Sequence, residues 1–325
     1  MCLSLQYVEG ITQKAHSLGH AQWSRHHISS PVQHCTRIQC SLTGLSSLQL
    51  LLPQYTDIRV PPLLVAMAKQ LQDNVSRVKH FNLLGTSIFV GLRAADAFLQ
   101  YGLLQRGWAP RLIELLGGRA VDRGRIVNAA TTQLQPYFGA ISLMACGSSL
   151  KQILTLLIVS EQDMLPSSAF LIAFFNTVFN SLNAVFSVWT ATSQRPASET
   201  LTGIAQSPLV LFGLGFYTIG LLTEMISELQ RTYFKKNPAN KGKPYANGLF
   251  SLARHINYGG YTIWRAAYAF TSAGWPWGLA VFSFFFYDFV SRGVPVLDTY
   301  LSERYGEQWK VIKKRVPYRL IPGIY

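Results

Sequence analysis

The amino-acid sequence predicts an all-α protein, a polytopic bundle of helices embedded in a membrane. Of its 325 residues, 49% are hydrophobic and only 14% are charged, whereas a soluble domain carries about 25% charged residues. Apolar runs long enough to cross a bilayer recur between residues 81 and 297. The net charge of +14 is concentrated near the end, where residues 231–325 contain fourteen Lys and Arg against four acidic residues. Few charges and long apolar runs together indicate a membrane protein.

The first two regions differ in composition. Residues 1–60 are polar and weakly patterned, so we expect a poorly ordered N-terminal extension. Upstream transmembrane helices are expected within residues 61–200, at 81–104, 139–160 and 168–190. The first of these runs contains Arg93 and Asp96, and each charge costs about 2.5–3.5 kcal/mol at mid-bilayer. Because the two residues are three apart on a helix, they should pair or face the bundle interior.

Residues 201–325 are expected to form a C-terminal domain. A further apolar run, 207–227, leads into a basic loop, 228–248. Two more apolar runs, 256–275 and 277–297, are joined at Gly274, Trp275 and Pro276 and predict a helical hairpin. The loop before the hairpin and the tail after it are both basic, which predicts that both are cytosolic. These basic residues alternate with bilayer-length apolar runs, which argues against nucleic acid as a partner and for the membrane.

The sequence predicts no metal site. The four cysteines, Cys2, Cys35, Cys40 and Cys146, lack the paired spacing of metal ligands, and the histidine-rich start shows no ligand pattern.

Three asparagines mark one face of the run 168–190. Asn176, Asn180 and Asn183 follow a spacing of i, i+4 and i+7, so they lie on the same side of a helix. An amide in hydrocarbon must be hydrogen-bonded, so this face cannot contact lipid. Two interpretations are open: contacts between helices, or the polar wall of a substrate cavity.

Two glutamates lie near the end of the run 207–227. Glu224 and Glu228 are four residues apart, with Arg231 three residues further on. Such a cluster is either a solvated helix end or a carboxylate site for a ribose hydroxyl or an amine.

A polar cluster precedes the hairpin. Arg254 offers a forked cation suited to phosphate, and His255, Asn257 and Tyr258 add groups that donate and accept hydrogen bonds. Gly259 and Gly260 follow and would allow a ligand to approach the backbone. The cluster is either a set of interfacial side chains that reach toward water or a clamp for a cofactor.

The C-terminal region resembles the steroid 5α-reductase and sterol C14/C24(28)-reductase superfamily, whose C-terminal pattern is shared with isoprenylcysteine and phospholipid methyltransferases. The resemblance covers about residues 205–325 and extends upstream only in general character. The matching positions are Gly248, Leu249, Phe250, Arg254, His255, Asn257, Tyr258, Arg304, Tyr305, Gly306, Ile321 and Pro322.

This resemblance implies a membrane-embedded, NADPH-dependent reductase of a C=C bond in a lipid such as a sterol, steroid or related enone. It further implies the endoplasmic reticulum or nuclear envelope as the location and a pocket that opens to the cytosol. By analogy, the cofactor-binding residues would be Lys235, Lys241, Arg254, His255, Asn257, Tyr258, Asp298, Arg304 and Tyr305. The candidates for the catalytic proton donor are Tyr258, Tyr261 and Glu224.

The chain departs from the superfamily pattern at two positions. Ile256 replaces the usual proline, and Tyr261 stands where many members have glutamate. Two alternatives to the reductase therefore stay open. One is an S-adenosylmethionine-dependent methyltransferase, which would hold the cofactor carboxylate with Arg254 and His255; the other is a membrane scaffold with a degenerate reductase domain.

Overall fold

The computed structural model describes residues 81–121, 136–160, 163–196 and 201–325. The predicted N-terminal extension, residues 1–60, lies outside the described residues. Within the described ranges the chain is helical, and the β-type pairing found there is one isolated bridge between Ala120 and Trp189. The prediction of an all-α fold is confirmed.

Nine α-helices are found in the described ranges. They are α1 (Leu83–Gln105), α2 (Trp108–Leu115), α3 (Pro136–Leu154), α4 (Pro166–Val188), α5 (Leu201–Ala205), α6 (Pro208–Lys236), α7 (Ile256–Asp288), α8 (Val294–Tyr305) and α9 (Glu307–Arg315). Their ends follow local chemistry. The side chain of Asn82 caps α1 by accepting from the backbone nitrogen of Gly85 at 3.0 Å, and α4 and α6 begin at Pro166 and Pro208.

Four stretches are long and apolar enough to cross a membrane: Pro136–Val159, Pro166–Val188, Pro208–Lys236 and Ile256–Tyr305. They confirm the predicted polytopic membrane bundle. The run 81–104, which was also predicted to span, forms α1 but is not one of these four.

The predicted hairpin lies within α7 and the segment that follows it. The helix is broken at Ala273 and Gly274, where Gly274 adopts a positive φ of 74° that favours glycine. Beyond the break the chain folds back, so that the ring of Tyr261 lies 5.2 Å from the ring of Phe285. The hairpin and its turn are therefore as predicted.

Helices α6 and α7 cross closely because glycines face each other there. A Cβ atom added at Gly220 would lie 2.6 Å from the backbone nitrogen of Trp264, and one added at Gly260 would lie 2.7 Å from the carbonyl oxygen of Gly220. The carbonyl group of Leu320 approaches Gly259 in the same way. The close approach expected at Gly259 and Gly260 is thus made by the protein's own backbone, and the expectation of a ligand there was wrong.

Tyrosine hydroxyls connect α3 with the C-terminal helices. Tyr137 donates to the carbonyl oxygen of Thr271 at 2.9 Å, and Tyr217 donates to that of Met144 at 2.6 Å. The hydrophobic core is continuous through these contacts. The domain boundary near residue 200 stays a prediction.

Candidate active site

The polar cluster lies where α7 begins and is fastened to the C-terminal tail. The backbone nitrogens of Arg254 and His255 donate to the carbonyl oxygens of Tyr318 at 3.0 Å and Arg319 at 2.7 Å. The Arg254 Nη1 atom donates to two more tail carbonyls, those of Val316–Pro317, at 2.6 and 3.1 Å. Arg254 is buried, and its side chain therefore holds the tail against the start of α7.

His255, which follows Arg254, is buried. It is 3% exposed, and its Nε2 atom has no hydrogen-bond partner among the described residues. Its ring stacks near Tyr258, with centroids 6.0 Å apart, and lies 6.4 Å from the ring of Trp309. Burial, and then the charge of Arg254, lower the pKa of His255 to about 3. The imidazole is therefore neutral near pH 7.

Asn257 and Glu228 connect α7 to α6. The Asn257 Nδ2 atom donates to Glu228 Oε1 at 2.7 Å, and the other carboxylate oxygen pairs with Arg231. Both residues are buried. The contact fixes Asn257 beside the basic end of α6.

The two candidate tyrosines occupy successive turns of α7. The ring of Tyr258 stacks on that of Phe289, with centroids 4.4 Å apart and an interplanar angle of 12°. The phenolic oxygen of Tyr261 accepts a hydrogen bond from Arg265 Nε at 3.0 Å. Tyr261 and Arg265 are both buried, so the phenol and the guanidinium form a pair inside the bundle.

Glu224 has a different environment from Glu228, although the two are four residues apart. One of its carboxylate oxygens pairs with Lys151 of α3, and the other accepts from the indole Nε1 of Trp264 at 2.7 Å. Lys151 is buried. Glu224 thus links three helices, and both of its oxygens are engaged.

Three exposed cations lie on the elements that precede and follow α7. Lys235, at the end of α6, and Lys241, in the loop that follows, are exposed. Arg304, on α8, is also exposed, and its guanidinium carbon lies 5.5 Å from the ring centroid of Tyr305. All three side chains are exposed, and the Arg304 guanidinium also donates to the Tyr300 hydroxyl.

Asp298 connects α8 with α9. Its carboxylate accepts from the indole Nε1 of Trp309 at 2.8 Å and from Lys313 Nζ at 3.2 Å. Because Trp309 also lies beside His255, Asp298 supports the wall of the site indirectly.

The three asparagines of α4 contact three different helices. Asn176 accepts from Gln152 Nε2 of α3 at 2.7 Å, Asn180 donates to Asp96 of α1 at 2.7 Å, and Asn183 accepts from Trp277 Nε1 of the hairpin at 2.7 Å. These bonds fit contacts between helices. Their role in a substrate cavity stays a prediction.

Arg93 and Asp96 pair as the sequence predicted. The Arg93 Nη1 atom lies 2.9 Å from Asp96 Oδ2, and both side chains are fully buried. Arg93 also donates to Ser149 Oγ of α3 at 2.8 Å. The pair is the centre of a polar network that joins α1, α3 and α4.

Arg265 is not among the site residues predicted from the sequence. It is 2% exposed, and its guanidinium carbon lies 4.4 Å from the ring centroid of Trp264. A lone arginine within an apolar run is the sequence signal that marks such a position, because an intramembrane charge is costly and is therefore uncommon away from functional sites.

Unpartnered polar atoms and nearby cations occur together at the start of α7. The Nε2 atom of His255 and the Nε atom of Arg254 are buried without a hydrogen-bond partner among the described residues, and the charges of Arg254, Arg231 and Arg319 act on His255. Cations suit phosphates, and a neutral imidazole suits a ring amide or a ribose hydroxyl.

Comparisons with known proteins find a family model and relatives whose names describe enzymes. A family model described as a protein of unknown function, DUF1295, matches residues 161–316. The probable O-methyltransferase ustE of Ustilaginoidea virens is 35% identical over 229 residues, which are 68% of this chain and 79% of that protein.

Two reductases match shorter stretches. The probable 7-dehydrocholesterol reductase of Acanthamoeba polyphaga mimivirus is 33% identical over 109 residues, 32% of this chain and 23% of that protein. The 7-dehydrocholesterol reductase of Xenopus laevis is 32% identical over 80 residues, 24% of this chain and 17% of that protein. The chain thus spans less than a quarter of each reductase.

Proposed function

We propose that this chain, which belongs to the family of the probable O-methyltransferase ustE within the steroid reductase-like superfamily, reduces a C=C bond of a lipid with NADPH. The substrate would be a sterol, a steroid or a related enone, dissolved in the membrane that the four apolar stretches cross. We further propose the endoplasmic reticulum or the nuclear envelope as its location, with the C-terminal tail in the cytosol.

The observation that carries the proposal is the arrangement of charge at the start of α7. Arg254, Arg231 and Arg319 lie close enough to the buried His255 for their charges to act on it, and further cations are exposed on α6, in the loop after it and on α8. NADPH carries phosphate groups that bind such cations by charge-assisted hydrogen bonds. S-adenosylmethionine carries one carboxylate and a sulfonium cation, which the same cations would repel. The arrangement therefore favours the dinucleotide.

The proposal gives each residue a role. Lys235, Lys241 and Arg304 would hold the phosphates, and His255, Asn257, Tyr258, Asp298 and Tyr305 would line the nicotinamide and ribose side. NADPH, when bound, would supply the hydride. Arg254 would offer its unpartnered Nε atom, while its Nη1 atom keeps the tail in place.

Tyr261 is the proton donor that we prefer. The guanidinium of Arg265, bonded to the phenolic oxygen at 3.0 Å, would stabilise the phenolate that remains once the proton has been transferred. Glu224 is less suitable because both of its oxygens are already bonded, and the ring of Tyr258 is held in a stack with Phe289.

The test is a titration of the full-length protein in lipid nanodiscs with NADPH, NADH and S-adenosylmethionine, followed by thermal unfolding. A ligand present at a hundred times its Kd stabilises the folded state by about 2.7 kcal/mol. We expect that response from NADPH, a weaker one from NADH and none from S-adenosylmethionine.

Matched variants test which cations contribute to the thermal shift with NADPH. Lys241→Gln and Arg304→Gln should each weaken NADPH binding, because each removes one of the exposed charges to which we assign the phosphates. Arg111→Gln removes an exposed charge from α2, to which no phosphate contact is assigned, and this variant should bind NADPH like the wild type. Equal affinities in all three variants would refute the phosphate assignment.

An O-methyltransferase is the second candidate. The specific observation in its favour is the 35% identity to the probable O-methyltransferase ustE over 68% of this chain. A thermal response to S-adenosylmethionine alone would establish this candidate in place of the reductase. The absence of a thermal shift with all three ligands would favour the non-catalytic membrane scaffold.

A further inference from the structure

Arg265 is a buried cation whose charge has no acidic partner in the described part of the chain. It is 2% exposed, and both terminal nitrogens, Nη1 and Nη2, are buried without a hydrogen-bond partner there. Its Nε atom alone is bonded, to the neutral phenol of Tyr261. A buried charge that is neither paired nor fully hydrogen-bonded is strongly unfavourable.

Two other cations buried among the apolar helices have counter-ions, whereas the buried Arg254 before α7 donates to tail carbonyls. Arg93 pairs with Asp96, and Lys151 pairs with Glu224. Within the described ranges, these four side chains balance, and Arg265 adds one uncompensated positive charge. The cost of an isolated cation among membrane helices indicates that this position is kept for a purpose other than packing.

Aromatic rings surround the guanidinium but leave its forked end unbonded. The guanidinium carbon lies 4.4 Å from the ring centroid of Trp264, 5.4 Å from that of Tyr261, and 5.9 Å from those of Phe179 and Phe285. Cation–π contacts offset part of the desolvation cost. They cannot satisfy the N–H groups of Nη1 and Nη2, which need an acceptor oxygen.

We propose that Arg265 binds the carboxylate of a lipid-soluble acid, so that the substrate of this enzyme is an anionic amphiphile. The two terminal nitrogens of a guanidinium match the two oxygens of a carboxylate. One carboxylate would also cancel the one uncompensated charge. This proposal rests on the proposed enzymatic function only in taking the bound acid to be the substrate.

The position of Arg265 fits this role. It lies nearly three turns beyond His255, the N-cap of α7, and about 12 Å, at 1.5 Å per residue, before the hairpin turn at Ala273. At that turn the structure has a cavity of about 570 Å³, a size typical of ligand pockets.

Stacked rings connect the cavity to Arg265. Trp277 lines the cavity and stacks on Phe179, with centroids 6.5 Å apart, and Phe179 covers the guanidinium. These rings would move aside to admit the acid, whose apolar body would then lie toward the cavity and whose carboxylate would lie at the guanidinium.

The experiment measures binding of three probes with the same chain length to the full-length protein in phosphatidylcholine nanodiscs. Decanoate carries the charge, whereas methyl decanoate and decanol do not. Decanoate should raise the Tm and quench tryptophan fluorescence, because Trp264 lies against Arg265. The two neutral probes should produce at most the small response of lipid partitioning.

Variants of Arg265 distinguish charge from folding. Arg265→Met removes the charge at similar volume, and such replacements of buried ions are often neutral or stabilising. Arg265→Met should fold without ligand and bind decanoate at least about tenfold more weakly. Arg265→Lys keeps the charge and should retain part of the affinity, while Arg111→Met, the exposed control on α2, should bind like the wild type.

Each outcome decides the proposal. Equal responses to decanoate and its methyl ester in the wild type, or an unchanged decanoate affinity in a folded Arg265→Met protein, would overturn it. The NADPH and S-adenosylmethionine titrations run on the same samples report on the proposed function separately. A protein that binds decanoate through Arg265 but no nucleotide would keep this inference and lose the reductase.

Discussion

Replacing His255 by glutamine should change how the stability of the protein depends on pH. The folded-state pKa of His255 is lowered to about 3 by burial, from an ordinary value of 6.5. Below pH 6.5 the unfolded chain takes up a proton that the folded chain does not bind. The unfolding free energy that the neutral imidazole contributes is therefore complete above pH 6.5 and is lost as the pH falls toward the folded-state pKa.

The size of this effect follows from the two pKa values. Each pH unit below 6.5 costs about 1.4 kcal/mol while the unfolded chain alone is protonated. Between about pH 7.5 and pH 5 the wild type should therefore lose about 2 kcal/mol of unfolding free energy through His255. Glutamine keeps hydrogen-bonding capacity but does not titrate, so His255→Gln should lose about 2 kcal/mol less over the same range.

The assay is unfolding in mixed micelles followed by tryptophan fluorescence, in which Trp309 reports from beside His255. The other six histidines lie within residues 1–80 and are the same in both proteins, so they cancel in the difference. If wild type and variant show the same dependence on pH, the imidazole is not held neutral. The description of His255 as a neutral ligand-binding group would then fail.

Two further substitutions test the helix contacts. Gly220→Ala should lower the unfolding free energy by about 1–3 kcal/mol, because its methyl group would lie 2.6 Å from the Trp264 nitrogen. Gly215→Ala on the same helix meets nothing within 4 Å and should be neutral or stabilise by up to about 1 kcal/mol, and unfolding curves of both variants provide the comparison. Asp96→Asn should cost about 3–5 kcal/mol, because it leaves Arg93 buried without a counter-ion, and an unchanged Tm would contradict that pairing.

The membrane fold could be predicted because its determinants are local. Apolar length fixes which segments can cross, and the helix break at Gly274 was marked by Gly274 and Pro276 in the sequence. The pairing of Arg93 with Asp96 was also local, at a spacing of three residues. The C-terminal end of α6 was harder to predict, because α6 continues beyond the apolar run to Lys236 in the basic loop.

The partners of the site residues could not be predicted, because they come from distant parts of the chain. Glu224 and Glu228 look like one acidic cluster in the sequence. In the structure Glu224 pairs with Lys151, 73 positions upstream, whereas Glu228 bonds Asn257. One sequence shows which side chains share a helix face, but it does not show which helix lies opposite that face.

The contacts of Arg254 could not be predicted from the sequence either. Its residue type predicts a phosphate contact, and its Nη1 atom instead donates to the carbonyl groups of Val316–Pro317. Removing this side chain would disturb the tail as well as any cofactor. The exposed cations Lys241 and Arg304 are therefore the cleaner positions for testing nucleotide binding.

The departure at Tyr261 gains a physical meaning from Arg265. A glutamate at position 261 would lie four residues before Arg265, the spacing at which oppositely charged side chains pair on a helix. Tyrosine accepts the hydrogen bond from Nε but brings no charge. The two positions together leave a buried guanidinium ready for an external carboxylate, and they put a phenol beside it.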